Sequence, residues 1–347
     1  MDLKAEILDI PHALGETLEK GRPEYDAVVR QTRWGDGPIF VVGSGSSLVA
    51  GLSAAYAFES LLGWPAVVRE AAAFQACSLS VLRPRSVVLA LSPSGEDSET
   101  LEMAQVARSR RATVLVLTNN AQSALAKSAD GVFLVRAGEE HGVGAKAAVC
   151  QQAAASYLGL VAARVLKRPH PQLDSLEADF EQLPGHVEWA LTQLTDAVRS
   201  FASELQGLQS LCAVGGGFYH PAALQWASLV KKLTAIDARG FEAVEFLHSR
   251  LDSLERDATI VFLSGSRCRA KKHVHLLAER AGKARARVLS LTDGNDRELA
   301  DRSNLALLLT VLSEMAGATL ALALLDWVAY HAARGRERGP RRQTPPG

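Results

Sequence analysis

Ile39-Phe40-Val41-Val42 runs without a polar residue into Gly43-Ser44-Gly45-Ser46-Ser47, and an amphipathic stretch follows over residues 48–62. A strand with one face in water would alternate apolar and polar side chains, so an unbroken apolar run predicts a strand covered on both faces. Three further runs, at residues 86–91, 112–117 and 132–135, have the same character, and each precedes helix-compatible sequence. Apolar strands alternating with helices predict the α/β class, with a parallel sheet flanked by helices.

The pattern then repeats. Gly43 has a counterpart 172 positions on in Gly215, and Val87-Val88-Leu89-Ala90-Leu91-Ser92-Pro93-Ser94 has one in Thr259-Ile260-Val261-Phe262-Leu263-Ser264-Gly265-Ser266. Val114-Leu115-Val116-Leu117-Thr118 matches Val288-Leu289-Ser290-Leu291-Thr292, and residues 132–135 match residues 305–308. One register held by four elements points to a tandem duplication of a single domain. The expected organisation is a helical arm over residues 1–30, a first domain over 31–184, a second over 185–333, and an irregular Arg/Pro-rich tail over 334–347. Arg168-Pro169-His170-Pro171 should break the long helix that follows Ala145, and a helix over about 185–206 should lead into the second half.

The chain of 347 residues is long enough for two such domains. Lys plus Arg and Asp plus Glu each number 38, so there is no basic excess with which to neutralise a nucleic-acid backbone. No apolar run reaches the length of a membrane span, and residues 319–330 are interrupted by Asp326. Acids near the N-terminus are unlike a secretory signal. Cys77, Cys150, Cys212 and Cys268 are widely spaced and form no metal-ligand pair, which suits small buried thiols in a reduced, cytoplasmic protein.

Ligands of open parallel sheets bind beyond the carboxyl ends of the strands. Two hydroxyl-rich turns fall there in the first half: Ser44-Gly45-Ser46-Ser47 and Ser92-Pro93-Ser94-Gly95-Glu96-Asp97-Ser98. Exposed N–H groups and the positive end of a helix favour an anion, and serine hydroxyls add neutral donors. With no Gly-x-Gly-x-x-Gly fingerprint and no Walker lysine, a single phosphate on a small molecule is expected in place of a nucleotide. Serines of either turn taken alone would serve equally as helix caps; their pairing favours a site. The second half carries Gly215-Gly216-Gly217-Phe218-Tyr219-His220-Pro221 and Ser264-Gly265-Ser266-Arg267-Cys268-Arg269 at these positions, which indicates divergence. Beyond Pro221, Gln225, Ser228 and Lys232 form one polar line on an apolar helix, which either faces a ligand or lets a lysine reach solvent. Glu245 and His248, three apart, suit a carboxylate-oriented imidazole.

These motifs together resemble the double-SIS (sugar isomerase) family: two tandem SIS domains, each a parallel sheet flanked by helices in a flavodoxin-like three-layer sandwich. The similarity spans essentially the whole chain and is most specific to the isomerase half of glutamine–fructose-6-phosphate aminotransferase and to stand-alone phosphosugar isomerases and deglycases. Glu6-Ile7-Leu8-Asp9-Ile10-Pro11 resembles the family's opening arm, Ser92-x-Ser94-Gly95-Glu96 its phosphate loop, Glu140-His141-Gly142-Val143 its E-x-G-V segment, and Glu245-Phe246-Leu247-His248 its E-L-K-H segment.

The resemblance implies that Ser47, Ser92 and Ser94 hold a phosphate, with Ser46 and the Val143 backbone beside the sugar. It also implies a homodimer in which His248 opens the sugar ring in the partner subunit's site. No cofactor, metal, membrane or nucleic acid is implied. The departures matter too. Lys232 stands where the family has its proton-shuttling glutamate, and Asp97 stands at the last position of the phosphate loop, where Ser98 would have to substitute or Asp97 turn away. Lys146 offers a compensating cation. No glutaminase segment with an N-terminal cysteine is present, so glutamine-dependent amination is not expected. Two functions follow as expectations: an isomerase, deaminase or deglycase acting on a ketose- or aminosugar 6-phosphate, with Lys232 qualifying as a base only if burial or nearby cations lower its pKa, or an inactive sugar-phosphate sensor. The arginines of the tail, in a neutral chain without a DNA-binding motif, read as a solvated end.

Overall fold

A computed structural model describes residues 2–251 and 257–338. The described residues divide into two compact units, one of residues 8–186, the other of residues 2–7 with 187–251 and 257–338. The first unit is built on five parallel strands, β1 (Ile39–Gly43), β2 (Ala66–Glu70), β3 (Val87–Leu91), β4 (Thr113–Thr118) and β5 (Gly131–Leu134), in the order β2-β1-β3-β4-β5. The second has β6 (Ser210–Gly215), β7 (Asp237–Glu242), β8 (Thr259–Leu263), β9 (Arg287–Asp293) and β10 (Leu305–Leu309) in the corresponding order β7-β6-β8-β9-β10. Both are the doubly wound arrangement of flavodoxin-like folds.

Every residue of β1 and β3 is buried, which accounts for their unbroken apolar sequence. The edge strands β2 and β7 escaped the pattern. They carry Arg69 and Glu70, or Asp237, Arg239 and Glu242, and are only partly covered. The duplication extends to local devices. Glu70 and Glu242 each end their edge strand and cap the next helix, Glu70 accepting from the Ala73 N–H and Glu242 from those of Val244 and Glu245. Asp130 accepts the Val114 N–H at 2.8 Å, as Asn304 accepts that of Val288 at 2.8 Å.

In the first unit, helix Ser46–Leu62 packs on helix Ala145–Val165 closely enough that a Cβ on Gly159 would sit 2.5 Å from the Ala57 Cβ. In the second, helix Glu314–Arg338 forms the core. Its Glu314–Gly335 portion is long and apolar enough to cross a membrane, but 94% of the apolar window is buried within the protein, as in a core helix.

Several expectations need correction. The helix after Ala145 ends at Val165, before Arg168-Pro169, yet the next begins at Leu173 and runs through Pro184 to Gln193, followed by Thr195–Ser203. The break at Arg168-Pro169-His170-Pro171 is present, but the helix expected over about 185–206 starts twelve residues earlier and is interrupted at Leu194. Residues 334–338 belong to the last helix and are not irregular; the rest of the tail lies outside the described residues. Of the cysteines, Cys150 and Cys268 are buried, but Cys77 is exposed and Cys212 half-buried. Burial pushes the Cys268 thiol up to about 12, so it is inert as a nucleophile.

Candidate functional site

In the first sheet the strand order reverses between β1 and β3, so the loops leaving their carboxyl ends frame a crevice. The loop after β1 turns sharply. Gly43 lies so close to β3 that a Cβ there would be 3.0 Å from the Leu91 carbonyl oxygen, and Gly45 has φ +55°. Helix Ser46–Leu62 begins at once. Ser46 is exposed at its tip, whereas Ser47 is buried and donates its hydroxyl to Gln151 Oε1 at 3.2 Å. Ser44 donates to Glu70 Oε1 at 3.0 Å, tying this loop to the end of β2.

In the loop after β3, the Gly95 N–H donates to the Ser92 hydroxyl oxygen at 3.1 Å, and the Glu96 N–H to that of Ser94 at 3.2 Å. A serine hydroxyl has one hydrogen to give and two lone pairs. Accepting from the backbone leaves each hydroxyl hydrogen available for a ligand oxygen. Ser92 is buried and Ser94 exposed. Asp97, the departure that threatened an anion, is turned away. Its carboxylate caps helix Ser98–Ser109, accepting from the Thr100 N–H at 3.3 Å and from the Thr100 hydroxyl. Ser98 donates to Glu99 Oε2 at 2.8 Å and so does not act as the substitute ligand in this arrangement.

Ser46 and Ser94 open onto a cleft of about 1150 Å3, lined also by Asn119, Arg136, Lys146, His12 and His141. Ser47, Ser92 and Ser98 do not line it, and Val143 lies half-buried in the loop at its side. Lys146 is buried, and its ammonium is already paired: Nζ lies 2.8 Å from Asp9 Oδ2 and donates to the Glu139 carbonyl at 3.4 Å. The N-terminus of its helix is filled as well, Glu140 accepting from the N–H groups of Lys146 (2.8 Å) and Ala147 (3.0 Å). The compensating cation expected of Lys146 is thus paired with Asp9 in this arrangement. Arg136, which the motifs did not flag, reaches the same cleft while pairing with Glu24 at 2.5 Å. Asn119 pins the loop beside it, donating to the Gly138 carbonyl at 2.8 Å and accepting from the Ala137 N–H at 2.8 Å.

The corresponding loops of the second unit hold the chain's own carboxylates. Glu314 accepts from the Phe218 N–H at 3.2 Å and the Arg269 N–H at 3.3 Å. Asp293 accepts from the Ser266 N–H at 2.6 Å and the Ser266 hydroxyl at 3.0 Å. A Cβ on Gly217 would lie 2.1 Å from Glu314 Oε1, so the loop wraps this carboxylate directly. Burial pushes the Glu314 pKa up, against the downward pull of its hydrogen bonds. An anion entering here would meet two carboxylates.

Lys232, Glu245 and His248 all belong to the second unit and are exposed there. Lys232 is thus not buried within the chain, and the polar line of Gln225, Ser228 and Lys232 begins with a buried Gln225 and ends in solvent. Glu245 and His248 occupy helix Ala243–Ser249, and among the described residues their side chains are not hydrogen-bonded to each other. The imidazole that feels Glu245 is His220, in the first turn of helix Tyr219–Thr234. Burial pushes its pKa down, opposed by the carboxylates of Glu242 and Glu245. His220 was visible in the sequence, but nothing in its local spacing pairs it with a glutamate on the next edge strand or helix.

Residues 36–162 match the family model described as SIS domain. The first unit contains a SIS domain. Across the chain, similarity extends to glutamine–fructose-6-phosphate aminotransferases (isomerizing): 32% identity over 85% of this chain for that of Methanothermobacter thermautotrophicus, and 29% over 96% for that of Thermococcus kodakarensis. These alignments cover 48% and 55% of the relatives, so the chain spans about half their length. The C-terminal domain of glucosamine-fructose-6-phosphate aminotransferase from Francisella tularensis superposes with a TM-score of 0.86 at 21% identity, over 96% of both chains. Tagatose-6-phosphate ketose/aldose isomerase from Escherichia coli does so with a TM-score of 0.80 at 17% identity, over 98% of this chain and 94% of that one. The resemblance drawn from the motifs and the tandem SIS fold are both borne out.

The contrast between the units gives a direct expectation. Ser94→Ala in the SIS loop of the first unit removes one donor from an exposed position and should weaken binding of fructose 6-phosphate about tenfold, the worth of one hydrogen bond to a charged group. Ser264→Ala, at the place in the second unit that corresponds to Ser92, should leave calorimetric affinity unchanged. Equal losses would contradict an assignment of the sugar phosphate to the first unit's loops and not to the matching loops of the second.

Proposed function

We propose that the protein binds a ketose- or aminosugar 6-phosphate in the first-unit cleft and carries out isomerase-type chemistry on it, as an aldose–ketose isomerase, deaminase or deglycase. The observation that carries the reading is the pair of switch-point loops. Ser92 and Ser94 keep a hydroxyl hydrogen free to donate beside a roomy cleft, while the matching loops of the other unit are filled by Glu314 and Asp293. Ser46 and the Val143 backbone contribute from the cleft's margins, Ser47 would have to release Gln151 to join them, and Asp97, committed to its helix cap, leaves the loop to the ligand.

The chemistry would require a second copy. In this reading His248 opens the sugar ring across a homodimer interface, where its exposure in the single chain makes it available. Glu245 would steady it on closure, and Lys232 would gain its role as a base only if the interface buried it.

A sensor without turnover is the second reading. It is favoured by the exposed lysine that stands in the place of the base and by the lack of a Glu245–His248 hydrogen bond within the chain. Incubation with fructose 6-phosphate, glucosamine 6-phosphate and a fructosamine 6-phosphate in deuterated water, followed by NMR, separates the two. Deuterium entering C1 or C2, and lost in His248→Ala, is the expected result. Saturable binding with no exchange or turnover of any of the three would replace the enzyme with the sensor.

A further inference from the structure

The second unit contains a cavity of about 520 Å3 that has no part in the sugar-phosphate reading. It is formed by Lys4 on helix Leu3–Leu8, by Arg199 and Ser203 on helix Thr195–Ser203, by Gln206, and by Trp327, Tyr330, His331 and Arg334 on the last helix. Among the described residues no carboxylate lines it, although Asp196 pairs with Arg199 at 3.1 Å on the exposed side. Lys4, Arg199 and Arg334 all act on His331, and burial together with their charges pushes its pKa down. Arg334 is positioned by Tyr330, donating to its hydroxyl at 2.9 Å, and its guanidinium lies 5.9 Å from the ring centre. Trp327 stacks on Tyr330 at 4.9 Å between ring centres and is almost wholly buried, yet its indole N–H has no hydrogen-bond partner, nor has Nε2 of His331.

Lys4, Arg199 and Arg334 stand exposed around the cavity, and an orphaned buried donor such as the Trp327 N–H is costly. A ligand that accepted from it would relieve that cost. The space is several times larger than a bare ion needs and falls in the range of small-molecule sites. Part of its wall is the Trp327–Tyr330 pair, which suits a carbon skeleton more than water. We propose that this cavity is a second anion site, which takes the phosphate group of a small organic phosphate between Lys4, Arg199 and Arg334, separate from the serine loops of the first unit. Small adjustments of the Trp327 and His331 rings would bring their nitrogens onto the bound group.

The test uses the whole chain and inorganic phosphate, with ionic strength held constant by chloride. The indole N–H resonance of Trp327, assigned by its disappearance in Trp327→Phe, should shift saturably as phosphate is added. In Arg199→Ala/Arg334→Ala the half-saturating concentration should rise at least tenfold. Lys4→Gln, a milder change on an exposed arm residue, should raise it by a smaller factor if the double variant fails to fold. Ser92→Ala and Ser94→Ala should leave the Trp327 titration unaltered, so that loss of the sugar-phosphate reading and loss of this one are distinguishable. An unmoved Trp327 resonance, an equal shift with chloride alone, or a titration unchanged in the cation variants would overturn the proposal.

Discussion

Gly95→Ala is expected to remove sugar-phosphate binding altogether and to lower stability by about 3 kcal/mol, through left-handed backbone strain of about 1 kcal/mol plus a steric clash. Gly95 has φ +67°, and a Cβ there would lie 2.1 Å from Ser123 Oγ and 2.4 Å from Ser123 Cβ. Ser123 has little freedom to retreat: it is buried and caps helix Ala124–Lys127, accepting from the Ala126 N–H at 3.2 Å. The Gly95 carbonyl in turn accepts from the Leu125 N–H at 3.1 Å, so this loop and the helix after β4 brace each other. Pushing them apart moves the Gly95 and Glu96 N–H groups that orient the Ser92 and Ser94 hydroxyls, and the ligand loses both donors. Thermal unfolding should show a midpoint lower by about 6–12 °C, at 2–4 °C per kcal/mol for a unit of this size. Ser123→Gly in the same chain removes both clashing atoms and should restore part of the stability, leaving the backbone strain. Full affinity in Gly95→Ala would show that the serine loop is not where the phosphate sits.

Much of this is readable from the sequence because it is local. A strand buried on both faces is mostly apolar, which is why β1, β3 and β8, and β4 and β9 beyond their first residue, stand out and why their spacing betrays the duplication. Asp97 three residues before Thr100 is an ordinary N-cap spacing, so its retreat from the phosphate could have been anticipated. The edge strands β2 and β7 were hidden because half-exposure admits Arg69, Glu70 and Asp237, residues that mimic a loop. The deeper misses are long-range. Glu314 reaches the Phe218 N–H across 96 positions of sequence, and Asp9 reaches Lys146 across 137. A carboxylate that fills an anion cradle looks, in sequence, like any acid at the start of a helix. The two halves therefore appear to differ by a loss of serines, whereas physically they differ in whether an internal anion already occupies the site.

The same distinction governs Lys146. If its ammonium were available to the ligand, Lys146→Met would cost binding; because Asp9 holds it, the main loss should be in stability. Breaking a fully buried ion pair costs about 3–5 kcal/mol, since the surviving charge is left without water or partner. Here the survivor is Asp9, whose side chain keeps 35% of its exposure, so solvent screens it and a cost of about 2 kcal/mol is expected. Methionine keeps much of the side-chain volume in this buried position of helix Ala145–Val165 while removing the charge. Asp9→Asn should cost more than its own exposure suggests, because the buried Lys146 then loses its counter-ion and keeps only the Glu139 carbonyl at 3.4 Å. The double variant should be less destabilised than the two losses added, with the difference giving the coupling of the pair. Affinity for fructose 6-phosphate should change less than threefold in Lys146→Met, measured by calorimetry well below the melting temperature. A loss of tenfold or more in a folded Lys146→Met would mean that the lysine leaves Asp9 when the phosphate arrives, and that the cleft gains its positive charge by exchanging the carboxylate for the phosphate.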